Sequence, residues 1–242
     1  MHYQNDLRIT YYDLDMKGDI KLSALMRIVQ TAADQNAKEI GVGFSTLAPL
    51  NMSFVLQRFG IGITKMPAYD EIVTVRTWPD AIARGTFFRK GDMSDTNGKK
   101  LMEWASQWIL FDIAERKILK PKALPTELQS VLNMGVEIMP KKIRADQSSG
   151  EFYSSYTHAV RYSEVDTNHH MNNSVYGDLI SNALYPTMES AKNSAPLREV
   201  QINYLAETRL GEVIDVKANR MENGYLVVGE ANGRISFTAS AI

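Results

Sequence analysis

The chain has no cysteine among its 242 residues. That absence removes disulfides, thiolate-held metals and a cysteine nucleophile together. No apolar run approaches the ~20 residues that would cross a bilayer. The N-terminus "MHYQNDLRITYYDLD" lacks the basic and apolar regions of a secretory leader, so the expectation is a cytoplasmic protein without a membrane span. A charge excess is missing as well: 27 Lys and Arg face 28 Asp and Glu, for a formal net charge of -1, so nothing global draws the chain to nucleic acid. Of the four histidines, His169 and His170 are adjacent and cannot readily face one ion, and only His2 and His158 remain, so no metal is expected. "GVGFS" and "GIGIT" lack the helical context of a phosphate loop or a serine elbow, and no cofactor is expected. What is present is 44% hydrophobic and 23% charged, enough for one large domain or two small ones.

The chain repeats itself. Arg8 to Tyr12 reads as a strand, and "LSALMRIVQTAADQNAKEIG" then sets Leu22, Leu25, Met26, Val29 and Ala33 on one helical face, with Ser23 as N-cap and Gly41 as stop. Strand-like segments follow over 53–65, 71–78, 85–92 and 101–113, the last two joined by an Asn97-Gly98 turn. The order then returns. A strand over 158–165 leads to a helical face of Val175, Leu179, Ala183 and Leu184 that ends near Met188. Strands over 197–208, 212–220, 225–230 and 234–242 complete it, with turns at Asn223-Gly224 and Asn232-Gly233. Local echoes support the match: "YYDLDMKGD" with "RYSEVDTNHH", "EIVTVRT" with "EVIDVKA", "NGKKLMEWAS" with "NGRISFTAS". This is a duplicated α+β unit. The expected division is a first domain over 1–120, a Pro- and Lys-bearing linker over 121–152, and a second domain over 153–242.

One stretch carries more polar chemistry than its surroundings. "VDTNHHMNNS" packs Asp166, Asn168, His169, His170, Asn172 and Asn173 ahead of the second helix. Aligning Asp15 with Asp166 sets Lys17 opposite Asn168 and Asp19 opposite His170, so the second copy alone keeps the constellation. Two readings stand. Asx side chains satisfy backbone donors at helix starts, and Asn173 or Ser174 would then be a cap. Alternatively, the N–H groups and dipole at a helix start favour a developing negative charge, and the spacing exceeds what capping needs. Glu207, in "INYLAET", falls near a strand end; alone it is an ordinary solvated carboxylate.

Together, "VDTNHHMNNSVY" and "VQINYLAET" resemble the acyl-acyl carrier protein (acyl-ACP) thioesterases, whose pattern is a D-x-N-x-H-V-N-N loop followed by a strand bearing a glutamate. The resemblance covers nearly the whole chain and implies an α+β double (tandem) hotdog, two long helices each wrapped by an antiparallel sheet. It implies catalytic roles for Asp166, Asn168, His170 and Glu207. Met171 stands where valine is usual, and Thr208 where plant members often carry cysteine, so a cysteine-free chain implies water as the nucleophile. The implied activity is hydrolysis of fatty acyl-ACP to free fatty acid and carrier thiol in fatty acid biosynthesis. The implied partner is acyl carrier protein presenting acyl-phosphopantetheine, to a monomer or homodimer.

Within that resemblance, Glu207 would act as general base and Asn168 would position water or the carbonyl. His170 would orient the water or stabilise charge, with Asp166 fixing its tautomer or holding the loop. Backbone N–H groups of Met171 to Asn173 would complete an oxyanion site. The first copy, with its site degenerate, would shape the acyl pocket; Met26, Phe54, Val55, Trp104 and Trp108 are candidates, each equally readable as ordinary core. Arg84, Arg89, Lys90, Lys120, Lys122, Lys141, Lys142 and Arg144 are the basic supply for docking an acidic carrier. Two other readings stay open: a thioesterase acting on acyl-coenzyme A, and a noncatalytic acyl-binding module.

Overall fold

The computed structural model describes residues 2–131, 134–145 and 151–242. Of the expected linker, positions 132, 133 and 146–150 lie outside the described residues. The chain divides into two compact units, residues 1–11 with 27–140, and residues 12–26 with 141–242.

The first unit contains β1 (Tyr3–Arg8), most of α1 (Leu22–Glu39), a short α2 (Phe44–Leu47), β2 (Met52–Ile63), β3 (Ile72–Ala83), β4 (Thr86–Asp95), β5 (Lys100–Asp112) and β6 (Lys117–Leu119). Its strands run in the order β1-β3-β4-β5-β2, antiparallel throughout, with β6 paired to β5. The end of α1 and the segment after it pack on the sheet through an apolar cluster of Val42, Leu47, Phe87 and Leu110, bordered by Ala37 of α1 and by Ile40, Phe54 and Trp108. Phe54 and Phe87 meet edge to face, centroids 5.0 Å apart. Each such side chain contributes roughly 1.5–3 kcal/mol on burial.

The second unit contains β7 (Glu151–Ala159), α3 (Val175–Leu184), α4 (Met188–Asn193), β8 (Glu199–Tyr204), β9 (Val213–Met221), β10 (Gly224–Ala231) and β11 (Arg234–Ala241). Its strand order is β8-β11-β10-β9-β7, again antiparallel. α3 buries Tyr176, Leu179, Ile180, Ala183 and Leu184. Its last carbonyls would be orphans, and β7 supplies donors: Ser154 Oγ to Ala183 O at 2.5 Å and Tyr153 Oη to Leu184 O at 3.1 Å. Gly177 faces the first residues of α1, which group with this unit; a Cβ there would sit 2.7 Å from Ser23 N. The close approach requires glycine.

Several sequence expectations shift. The first strand is Tyr3–Arg8, not Arg8 to Tyr12, and residues 11–13 form a 3-10 turn. Likewise β7 covers Glu151–Ala159, ahead of the expected 158–165, and Tyr162–Glu164 is a 3-10 turn. Both are polar strands with one sheet neighbour, so neither shows the apolar alternation that marks a half-buried strand. Ser23 is inside α1 rather than its cap, buried with its Oγ lacking a partner. α3 stops at Leu184 because Pro186 restricts Tyr185, which leaves the helical region at φ -122 and ψ 61. Thr187 then caps α4 by accepting Ser190 N–H. The strand expected over 197–208 is only Glu199–Tyr204.

Described residues of the segment between the repeats are hydrogen-bonded to each unit. In the first unit, Val131 N–H donates to Pro79 O at 2.8 Å, while Glu137 and Ile138 N–H converge on Glu103 Oε1 at 3.1 and 2.9 Å. In the second, Lys141 N–H donates to Gln201 Oε1 and Ile143 N–H to Asn203 Oδ1, each at 2.9 Å. These bonds explain why Gln201 and Asn203 are buried on β8. No described helix is long and apolar enough to cross a membrane.

Candidate active site

The loop 165–174 is closed by an isolated bridge between Val165 and Met171. Asp166 organises it. Its N–H donates to His170 O at 3.1 Å, its O accepts His169 N–H at 3.0 Å, and Oδ1 accepts Asn168 N–H at 2.9 Å. Oδ2 accepts Asn172 Nδ2 at 3.1 Å. The turn forces His169 to φ 63, a left-handed geometry that few non-glycine residues adopt. The loop's far end is held by Glu164, whose O accepts Asn172 N–H at 2.8 Å and whose Oε2 lies 2.9 Å from His158 Nε2.

His170 stands beside this scaffold, Nδ1 at 3.3 Å from Met171 O and 3.9 Å from Asp166 Oδ1. The longer separation is not a hydrogen bond. A carbonyl can only accept, so the neutral ring carries its proton on Nδ1 and leaves Nε2 as the basic nitrogen.

Glu207 lies beyond β8 rather than on it. The strand ends at Tyr204, Leu205 and Ala206 N–H both bond Ser236 O, and Glu207 follows, its side chain about half exposed. Arg209 Nη2 holds Glu207 Oε2 at 3.0 Å. The next residue, Thr208, is fully buried and its O accepts Met171 N–H at 2.7 Å. Asp166, Asn168 and His170 therefore share one loop, and a backbone bond joins that loop to the segment bearing Glu207.

Two further expectations change. Of the backbone donors proposed for an oxyanion, Met171 N–H bonds Thr208 O and Asn172 N–H bonds Glu164 O; Asn173 N–H alone has no partner among the described residues. Capping falls to Asn172, whose Oδ1 accepts both Ser174 N–H at 2.9 Å and Ser174 Oγ at 2.7 Å; Ser174 makes no side-chain cap.

Tyr176 and Tyr204 were not singled out from sequence. Tyr176 Oη lies 3.4 Å from Thr208 Oγ1, and burial, with smaller contributions from Glu212 and Glu207, raises its phenol above the ordinary value. Tyr204 Oη donates to Asn173 O at 3.3 Å, and burial holds it well above the ordinary value, so it stays protonated. An apolar-looking helix and strand gave these tyrosines no distinguishing pattern. Among the described residues, no cluster of three or more His, Asp or Glu could hold a metal ion.

Among the expected pocket residues, Trp104 is buried, Phe54 and Trp108 are partly buried and Val55 is exposed at 41%, while Met26, which groups with the second unit, is buried. Of the basic residues, Arg84, Lys120, Lys122, Lys141, Lys142 and Arg144 are exposed. Arg89 points inward instead, bonded to α1.

A helix packed against an antiparallel sheet, long in α1 and shorter in α3, present twice in one chain, defines a double hotdog protein. The N-terminal domain of acyl-ACP thioesterases matches residues 1–128, and their C-terminal domain matches residues 147–237. The chain belongs to the acyl-ACP thioesterase family. It is 23% identical over 243 residues to a chloroplastic palmitoyl-acyl carrier protein thioesterase of Gossypium hirsutum, covering 95% of this chain and 58% of that one. A chloroplastic dodecanoyl-[acyl-carrier-protein] hydrolase of Cinnamomum camphora is 23% identical, with coverage of 88% and 58%. The chain thus spans a little over half the length of these relatives. Among solved structures, an acyl-ACP thioesterase from Bacteroides thetaiotaomicron superposes with a TM-score of 0.85 at 21% identity, covering 100% of this chain and 97% of that one. The 12:0-ACP thioesterase from Umbellularia californica gives 0.77 at 16% identity, with coverage of 99% and 96%.

Proposed function

We propose that this protein hydrolyses fatty acyl-acyl carrier protein to free fatty acid and carrier thiol, as a step of fatty acid biosynthesis, and that Asp166, Asn168, His170 and Glu207 carry the reaction. The observation behind the assignment is the 2.7 Å bond from Met171 N–H to Thr208 O, which ties the imidazole loop to the residue after Glu207.

Glu207 takes a proton from water as the water oxygen bonds the thioester carbonyl carbon, a service typically worth ~10²–10⁴-fold. Asn168 and His170 Nε2 orient the water and the carbonyl. Asn173 N–H is the backbone donor left for the oxyanion, and such a donor is worth ~10²–10³ in rate. Collapse of the tetrahedral centre breaks the C–S bond, and the proton on Glu207 passes to the departing thiolate. Asp166 serves by holding the loop. The first unit shapes the acyl pocket, and the exposed lysines and arginines meet the acidic carrier.

Thiol release from acyl-acyl carrier protein and from acyl-coenzyme A, beside the Glu207→Ala and His170→Ala proteins, tests the reading. Release from the carrier protein, lost in both variants, is expected. Release from coenzyme A alone would move the activity to that carrier, and release from neither would leave an acyl-binding module. If charge guides the encounter, kcat/KM should fall with added salt.

A further inference from the structure

Under α1, the first unit's sheet holds a cation on a face that is otherwise largely apolar. Arg89 of β4 stands in register between Pro79 of β3 and Ser106 of β5. Its Nη1 donates to Asn36 Oδ1 of α1 at 2.8 Å and to Thr77 Oγ1 at 3.3 Å. Phe87, two residues back on the same face, belongs to the apolar cluster with Val42, Leu47 and Leu110. Desolvation pushes Arg89 down to about 10, which still leaves it charged at neutral pH.

A guanidinium offers five N–H donors and accepts nothing. Asn36 and Thr77 bring no negative charge, and no carboxylate among the described residues pairs with Arg89. The neighbours are also donors without acceptors. Asn36 Nδ2 is buried and unpartnered, in a residue at 0% exposure, and so is the indole Nε1 of Trp104, whose ring lies against Gly91 on the same side of β4. Buried donors with no acceptor are costly, and an unpaired charge more so. Arg89 itself keeps intermediate accessibility, so it is not sealed from solvent.

We propose that Arg89 and Asn36, with Trp104 beside them, form a binding site for the carboxylate end of an aliphatic chain inside the first unit. A carboxylate presents two coplanar acceptors to the guanidinium fork and can also take the Asn36 amide N–H. The attached alkyl chain would run along Phe87, Phe54 and Trp108. The acid that the thioesterase reading supplies, and on which this source rests, is the released fatty acid.

Thermal melting of the full chain with octanoate, octanedioate and octanol is the first test. Both acids should raise Tm by roughly 5 °C at saturation, and octanol should not. Asn36→Asp sets a carboxylate of the same shape against Arg89; it should melt above the wild type without additive and ignore both acids. Arg89→Met removes the cation and should ignore them too, which keeps the test usable if Asn36→Asp fails to fold. No response to either acid, an equal response to octanol, or a full response in both variants would overturn the site.

Kinetics tests that source. Inhibition by octanoate that disappears in Asn36→Asp assigns the site to product. Acid-induced stabilisation without that inhibition overturns an acyl source. The same stabilisation in a chain inactive on every carrier supports the site and defeats the thioesterase reading.

Discussion

In the loop ahead of α1, Leu14 bridges Ile20, Asp15 N–H donates to Asp19 O at 2.8 Å, and Asp15 Oδ1 accepts Lys17 N–H at 2.8 Å. In the loop ahead of α3, Val165 bridges Met171, Asp166 N–H donates to His170 O at 3.1 Å, and Asp166 Oδ1 accepts Asn168 N–H at 2.9 Å. The left-handed position is Gly18 at φ 85 in one and His169 at φ 63 in the other. The two backbones make the same turn around the same aspartate, although the first carries Lys17 and Asp19 where the second carries Asn168 and His170. Lys17 is tied down, its Nζ 3.3 Å from Ser194 Oγ and 4.9 Å from the centre of the Tyr185 ring. An aspartate kept where the amide and imidazole are gone has a folding role that needs no chemistry. The comparison assigns Asp166 to the scaffold and concentrates the proposed reaction on Asn168, His170 and Glu207.

Substitutions can break this comparison, and the largest effects belong to His170, found in one loop only, and to Glu207, whose segment is bonded to that loop. His170→Ala and Glu207→Ala should each lower kcat by ~10²–10⁴ with little change in Tm; near-native turnover in both would end the assignment. Asp166→Ala should come next, at about 10²-fold in kcat, because a loop displaced by an ångström loses alignment. Its Tm should fall alongside, and a drop in kcat without any loss of Tm would instead make Asp166 a chemical participant. Asp15→Ala strips two backbone N–H groups, Lys17 and Asp19, of their acceptor. It should cost about 1–2 kcal/mol of stability and leave kcat unchanged. The smallest effect is expected of His169→Gly, which copies Gly18: relief of the left-handed geometry and the added chain entropy nearly cancel, so Tm should stay within about 2 °C. A large loss of turnover there would show that His169 does more than occupy a turn.

The loop was legible because its determinants are contiguous. An aspartate, amides two and six positions on, and a left-handed site between them make a turn that sequence spacing alone can carry, and the duplication exposed the same frame at Asp15. Glu207 was legible only through resemblance, since its link to the loop is a main-chain bond from Thr208 that no side chain announces. The outer strands β1 and β7 escaped because strands with one neighbour and polar faces have no alternation to read. Pro186 could have ended α3 correctly, had its restriction on Tyr185 been weighed against an apolar face that runs on toward Met188. Arg89 was misplaced for another reason. In "TFFRK" a strand presents consecutive residues to opposite faces, and charge favours the outward one, yet Arg89 bonds inward to Asn36 while Lys90 bonds Val136 O.

The strap that follows β6 determines where this polypeptide could be cut. New termini at the exposed Asn97–Gly98 tip would sever no strand ladder. An opening between 136 and 143 would strip Glu103, Gln201 and Asn203 of the main-chain donors they accept from, at about 1–3 kcal/mol for each acceptor left unsatisfied. A backbone break should therefore be tolerated at the hairpin and not between 136 and 143, where the main chain serves as a set of donors for buried polar side chains.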